Sequence, residues 1–153
     1  MAKKENTIAK QKISNTLAGH SGEYLAASEL CRRGYIATLT LTNTEGVDIL
    51  ATNENAARLV GIQVKTNQDN KKHWILDAKN EDITADHLFY VFINLNNQTS
   101  EKPEIYVVPA KLVAKAIKDA NKEFIAKGGK ANTMRQFNKP DEKYRDNWDI
   151  LDL

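Results

Sequence analysis

The chain has 153 residues, of which 41% are hydrophobic and 27% are charged, and its formal net charge is +2. A chain of this length and composition is expected to fold as one domain around one core. The single cysteine excludes an internal disulfide and a cysteine-based zinc site, and no apolar run reaches the roughly 18 residues that a membrane span needs. We therefore expect a protein of the reducing cytoplasm with no membrane partner.

The small net charge conceals an uneven distribution of charged residues. Residues 1 to 12 carry a net charge of +3 and residues 110 to 135 carry +5, whereas residues 13 to 109 carry −4 and residues 136 to 153 carry −2. Basic patches on an acidic body favour a polyanionic ligand such as nucleic acid. Lysine-rich surface faces are also common in proteins that bind none, so the charge pattern leaves both interpretations open.

The chain begins with a segment that has few apolar positions. We interpret residues 1–18 as a basic, loosely ordered arm or a short helix, followed by a single domain over residues 19–153. The first predicted helix has Ser21 in the N-cap position and Gly34 just past its end, and it places Glu23 in its first turn.

Six β-type runs follow this helix, over residues 35–41, 46–52, 58–66, 73–78, 87–95 and 104–110. The first three are short and separated by turns, which predicts an antiparallel meander. The last two are nearly continuously apolar, which predicts deeper burial. Their aromatic residues, together with Trp74, are expected in the core rather than as platforms for stacked bases.

A second helix is predicted from Ala110 to Lys127. Helical spacing gives it one apolar face, formed by Val113, Ile117, Ala120 and Phe124. The opposite face carries a lysine ridge, formed by Lys111, Lys115, Lys118 and Lys122. The segment after the helix contains apolar residues that we expect to dock on the core, namely Phe137, Tyr144, Trp148 and Leu151.

Polar residues on the second and third predicted strands are the most informative feature of the sequence. Asp48 lies between two apolar residues, where an ionised carboxylate is costly unless a cation meets it. Gln63 and Lys65 alternate with apolar residues, so they share one face of their strand. If these strands are neighbours, Asp48, Gln63 and Lys65 converge on one side of the sheet, and Glu23 can complete the cluster.

The order of these four residues resembles the PD-(D/E)XK nuclease superfamily, and within it the small domains similar to archaeal Holliday-junction resolvases. The resemblance covers residues 21–108. Asp48 matches the first metal-binding aspartate, Lys65 the motif lysine and Glu23 the glutamate of the first helix. Gln63 occupies the position usually held by an acid, a variation that other branches of the superfamily share, and a valine replaces the proline of the motif.

The resemblance implies an α/β fold with a central mixed β-sheet flanked by helices, and a Mg²⁺- or Mn²⁺-dependent endonuclease that hydrolyses DNA. The side chains of Asp48, Gln63 and Glu23 and the carbonyl of Val64 would hold the ion. Lys65 would orient the attacking water or neutralise charge that develops on the phosphate. We expect the lysine ridge to contact the DNA backbone, RNA to be a less favoured target, and the protein to form a homodimer.

Each of these residues also has a purely structural explanation. The carboxylate of Glu23 would interact favourably with the helix dipole at a helix start. Lys65 would make the end of a strand more soluble, and Lys65 could also neutralise Asp48 in an inert ion pair. The alternative function is therefore a catalytically inactive module that binds nucleic acid or a protein partner. His20 is expected to be a surface polar residue, and Cys31 a small buried side chain.

Overall fold

The computed structural model describes residues 12–41, 45–99 and 101–153. Its main elements are α1 (Asn15–Arg32), β1 (Ile36–Leu39), β2 (Ile49–Thr52), β3 (Leu59–Asn67), β4 (His73–Asp77), β5 (Leu88–Asn94), β6 (Glu104–Pro109), α2 (Ala110–Ala126) and β7 (Met134–Asn138). The described residues also contain three short 3-10 helices, at Ala78–Asp82, Glu142–Tyr144 and Trp148–Leu151. None of the described helices is long and apolar enough to span a membrane.

Five strands form one sheet in the order β1-β2-β3-β5-β6. The β3–β5 pair is parallel and the other pairs are antiparallel, which confirms the predicted mixed sheet and the antiparallel meander of β1, β2 and β3. A second sheet consists of β4 and β7 alone. We did not predict β7, because its five residues show only two apolar positions and its partner β4 lies about sixty residues earlier in the chain.

Each face of the large sheet supports its own core. One core packs α1 against β2, β3 and β5 and includes Trp148 and Leu151. The other packs α2 and the β4–β7 pair against β5 and β6, and it contains Trp74 and Phe137. Because β5 lies between β3 and β6 and is covered on both faces, its deeper burial is confirmed, as is the burial of the strand aromatics.

Helix α1 begins earlier than we predicted. Ser14 is its N-cap, because the Ser14 hydroxyl accepts a hydrogen bond from the Leu17 N–H at 3.2 Å. The prediction of Ser21 as N-cap is therefore wrong, and residues 15–18 of the proposed arm are helical, while residues 1–11 of it lie outside the described residues. Glu23 consequently lies well past the first turn, so the dipole at the helix start does not explain it.

Helix α2 has nearly the predicted bounds but not the whole predicted packing face. Val113 and Ile117 are buried, whereas Ala120 is exposed and Phe124 is 50% exposed. The last turns of α2 lie beside β7 and leave an open cleft of about 260 Å³ between them. The phenyl ring of Phe124 lies against Gly129 instead of entering the core. The contact is so close that a Cβ at Gly129 would be 2.4 Å from that ring.

The contact between α1 and β3 depends on small side chains. Ala18, Gly22 and Ala26 are buried along one face of α1. A Cβ at Gly22 would lie 1.9 Å from Oγ1 and 3.0 Å from Cβ of Thr66 on β3. Gly22 therefore sets how closely α1, and with it Glu23, approaches the sheet.

We expect Gly22→Ala to lower the free energy of unfolding by about 1–3 kcal/mol, because the added methyl group must push α1 away from β3. Gly19→Ala is the matched control, since a Cβ there meets nothing within 4 Å, and helix propensity should make that variant more stable by about 0.5–1 kcal/mol. Urea unfolding of both variants measures the difference. Equal stability of the two would contradict the close approach.

Candidate active site

Asp48 lies immediately before the start of β2, where the antiparallel partner β3 continues. The Asp48 N–H donates to the Ile62 carbonyl at 2.8 Å, and the Asp48 carbonyl accepts from the Thr40 N–H at 2.9 Å. Two residues further along β3, the Val64 N–H donates to Oδ2 of Asp48 at 2.7 Å. The carboxylate thus takes the place of the next backbone partner in the ladder, and this fixes its position.

Glu23 and Lys65 lie close enough to Asp48 to affect the pKa of its carboxyl. Burial raises the pKa of the Asp48 carboxyl, and the neighbouring Glu23 carboxylate raises it further, against the opposing effects of the Val64 N–H and the Lys65 ammonium. Within the described part of the chain, Asp48 forms no ion pair within 4.0 Å. The inert Asp48–Lys65 ion pair that we considered from the sequence is therefore not formed.

The backbone of Val64 is directed towards the Asp48 carboxylate. Its side chain is buried in the core beneath α1, while its N–H points towards Asp48. In an extended strand the N–H and the carbonyl of one residue point to the same side, so the Val64 carbonyl is also directed to this edge of β3. Two oxygen donors, the Asp48 carboxylate and the Val64 carbonyl, are thereby brought together.

Gln63 lies on the face of β3 opposite to Val64 and is aligned with Tyr90 on β5. Its Oε1 accepts a hydrogen bond from Nδ2 of Asn80 at 3.4 Å. Asn80, in the 3-10 helix Ala78–Asp82, is a residue that the sequence analysis missed. The available signal was the Asp77-to-Asn80 spacing of a capping box at the end of a predicted strand.

Glu23 is the candidate site residue that lies on α1. Its Oε2 lies 3.3 Å from Nδ1 of His20, one turn earlier on the helix. His20 is exposed as predicted. Cys31, in contrast, is exposed, and the prediction that it is buried is wrong, because its neighbour Leu30 occupies the core-facing position of α1.

The lysine ridge is exposed along α2, and two of its members have acidic neighbours. Lys111 Nζ lies 3.8 Å from Asp86, and Lys115 Nζ lies 2.6 Å from Asp119. Among the described residues, no hydrogen bond or ion pair joins the ridge to Glu23, Asp48, Gln63 or Lys65. However, α2 packs against the 3-10 helix that carries Asn80, so the ridge and the site belong to neighbouring elements. A role of the ridge in binding stays a prediction.

Comparison with known proteins adds evidence on the fold. No protein-family model and no curated protein matches the chain. Among solved structures, the chain is similar to the bacterial homing endonuclease I-Ssp6803I, with a TM-score of 0.52 and 15% identity over 92% of both chains. This chain has a restriction-endonuclease-like fold. The Archaeoglobus fulgidus Holliday junction resolvase Hjc also matches, with a TM-score of 0.49 and 13% identity over 78% of this chain and 83% of Hjc.

The oxygen donors of the candidate site are of the kinds that a hard divalent cation prefers. They are the carboxylates of Asp48 and Glu23, the amide oxygen of Gln63 and the carbonyl of Val64, which are the ligand types that Mg²⁺ and Mn²⁺ prefer. The described residues contain no group of three or more His, Cys, Asp or Glu placed to hold a metal. An ion here would therefore depend on the neutral oxygens of Gln63 and Val64 and on substrate phosphates.

We expect Asp48→Asn to stabilise the protein at pH 7 in the absence of divalent ions. The folded state raises the pKa of Asp48, so ionisation of this residue costs folding free energy once the pH exceeds the unfolded-state value. Asparagine keeps an oxygen for the Val64 N–H and removes the charge. Below the usual aspartate pKa of about 3.9, where Asp48 is protonated in both states, the gain should disappear.

Thermal unfolding from pH 3 to pH 8 measures this effect. Asp82→Asn is the control, because Asp82 is exposed. A lower melting temperature for Asp48→Asn than for the native protein at pH 7 would show that the carboxylate stabilises the metal-free fold, contrary to the expectation.

Proposed function

We propose that the protein is a Mg²⁺- or Mn²⁺-dependent endonuclease that hydrolyses phosphodiester bonds in DNA. The observation that carries the proposal is the half-buried Asp48 carboxylate, which has no ion-pair partner among the described residues and lies near Glu23 and Lys65. Two neighbouring carboxylates with one lysine leave an excess of negative charge, and burial makes that excess costly. A divalent cation would remove the cost.

Asp48, Glu23, Gln63 and the Val64 carbonyl would hold the ion. When bound, it would lower the pKa of a water molecule and stabilise negative charge on the scissile phosphate. The Val64 N–H holds Oδ2 of Asp48, which keeps the carboxylate in one orientation. The Lys65 ammonium would neutralise charge that develops on the phosphate or orient the attacking water.

DNA is the substrate that the surface charge and the fold favour. The lysine ridge supplies exposed positive charge, residues 1 to 12 of the sequence carry a net charge of +3, and the neighbour I-Ssp6803I is a homing endonuclease. RNA is the less favoured target. A homodimer would present two such sites with two-fold symmetry, which suits cleavage of both strands of a duplex.

The neutral Gln63 favours the alternative of a catalytically inactive binding module. Gln63 replaces an acid of the motif, and its amide oxygen is a weaker ligand than a carboxylate because it carries no net charge. A cleavage assay separates the two functions.

We expect Mg²⁺ or Mn²⁺ to support cleavage of at least one member of a panel of linear, nicked, flapped and four-way DNA substrates. Asp48→Ala and Lys65→Ala should each reduce the rate by about 100-fold or more, since each removes a charged group that acts on the reacting phosphate. Lys72→Ala, at an exposed position, is the control. Full activity of a folded Asp48→Ala protein would rule out this site, and no cleavage by the native protein would support the binding module.

Replacing Lys111, Lys115, Lys118 and Lys122 with Gln should weaken the dependence of DNA affinity on salt. Each lost contact with a duplex phosphate should reduce the slope of log affinity against log salt concentration by about 0.9. Replacing the exposed Lys71, Lys72, Lys102 and Lys143 is the control with the same change of net charge. Equal slopes for the ridge variant and the native protein would assign the ridge to solubility.

A further inference from the structure

Asn80 is a buried polar residue whose side chain reaches the candidate active site. It is only 3% exposed, although it lies in a short surface 3-10 helix between β4 and β5. A buried amide is costly unless its donors and acceptor are paired. The partners of Asn80 therefore indicate why the fold retains an amide at this position.

The backbone determines the orientation of the Asn80 amide. The Asp77 N–H donates to Oδ1 of Asn80 at 2.9 Å, and a backbone N–H can only donate. Oδ1 must therefore face Asp77, and Nδ2 must point the other way. The Asp77 carboxylate accepts from the Lys79 N–H at 3.1 Å, which closes the capping box and holds the 3-10 helix in place.

Both hydrogens of the Asn80 Nδ2 group have acceptors. One is directed to Oη of Tyr90 at 2.8 Å, and the other to Oε1 of Gln63 at 3.4 Å. Burial raises the pKa of Tyr90 to about 12, so its hydroxyl is protonated at neutral pH. Since one hydrogen of Nδ2 is directed to Tyr90, the other is available to Gln63. A donor at this place requires that the oxygen, and not the NH₂ group, of the Gln63 amide faces Asn80.

This selection matters because the two ends of a glutamine amide have nearly the same shape and opposite chemistry. Rotation by 180° would place the Gln63 NH₂ group against the Asn80 NH₂ group, donor against donor, and would remove the only Gln63 atom able to bind a cation. The 3.4 Å contact is long for a hydrogen bond, so its contribution to stability is small. Its effect is on orientation.

We propose that Asn80 is a positioning residue that holds the Gln63 amide oxygen in place as a neutral ligand for the divalent ion, an inference that rests on the proposed function. An amide oxygen has two lone pairs, so it can accept from Asn80 and still coordinate an ion. The chain from the Asp77 N–H through Asn80 to Gln63 preorganises a ligand that carries no charge of its own.

A double-mutant cycle with Mn²⁺ and calorimetric titration tests this inference. We expect Asn80→Ala to weaken Mn²⁺ binding by about 10-fold, the lower end of the effect of losing a hydrogen-bond partner of a metal ligand. Gln63→Ala should weaken it to a similar degree, and the double variant should bind no more weakly than Gln63→Ala alone. This non-additivity separates positioning through Gln63 from a general loss of stability.

One further variant sharpens the cycle. Gln63→Glu should tighten Mn²⁺ binding only while Asn80 is present to hold the new carboxylate. Nδ2 of Asn80 can donate to a carboxylate oxygen as well as to an amide oxygen. If Gln63→Glu gains the same affinity in the Asn80→Ala background, the inference is overturned.

A measurement on the native protein covers the case in which Asn80→Ala does not fold. In a Mg²⁺ titration followed by NMR, the side-chain amide signals of Gln63 and Asn80 should shift together with one dissociation constant. Asn80 signals that stay unchanged at saturating Mg²⁺ would overturn the inference. Native binding of Mn²⁺ that Asn80→Ala does not alter would overturn this inference alone, whereas no ion binding by the native protein, even with DNA present, would overturn the proposed function with it.

Discussion

The hydrogen bond from the Val64 N–H to the Asp48 carboxylate is the contact on which the site depends. It exists because β3 extends past the first residue of β2, which leaves a backbone donor without a strand partner. By accepting this donor, Asp48 satisfies a backbone group that would otherwise lack a partner, and it becomes fixed beside the Val64 carbonyl. Burial and the nearby Glu23 make the ionised carboxylate costly. In the proposed endonuclease, the same position would weaken the metal-free fold and favour binding of a cation.

Each face of the large sheet contributes one further group to the candidate site. On one face of the sheet, the absence of a side chain at Gly22 lets α1 approach β3 closely, and Glu23 follows directly. On the other face, the 3-10 helix after β4 supplies Asn80, which contacts Gln63. The candidate site thus lies where elements from both sides of the sheet meet, and its geometry depends on how both layers pack.

The small β4–β7 sheet supports the Gln63 side of the site. Arg135 on β7 forms an ion pair with Glu81 in the same 3-10 helix as Asn80, and both side chains are largely buried. Trp74 and Phe137 anchor the two strands in the second core. An ion pair at this depth is costly to break, because removing one partner leaves the other charge buried. Strand β7 therefore holds in place the helix that carries Asn80.

The sequence by itself predicted the meander of β1 to β3, because strand alternation and short turns are local properties. The mixed α/β architecture was implied by the family resemblance that Glu23, Asp48, Gln63 and Lys65 carry. The sequence did not reveal β7, the true start of α1 or Asn80. A strand with two apolar positions becomes stable only through its distant partner β4, and Asn80 acquires its role from a contact with Gln63, seventeen residues earlier in the chain. Only the tertiary structure could decide that Asp48 and Lys65 form no ion pair, since that depends on where β2 begins relative to β3.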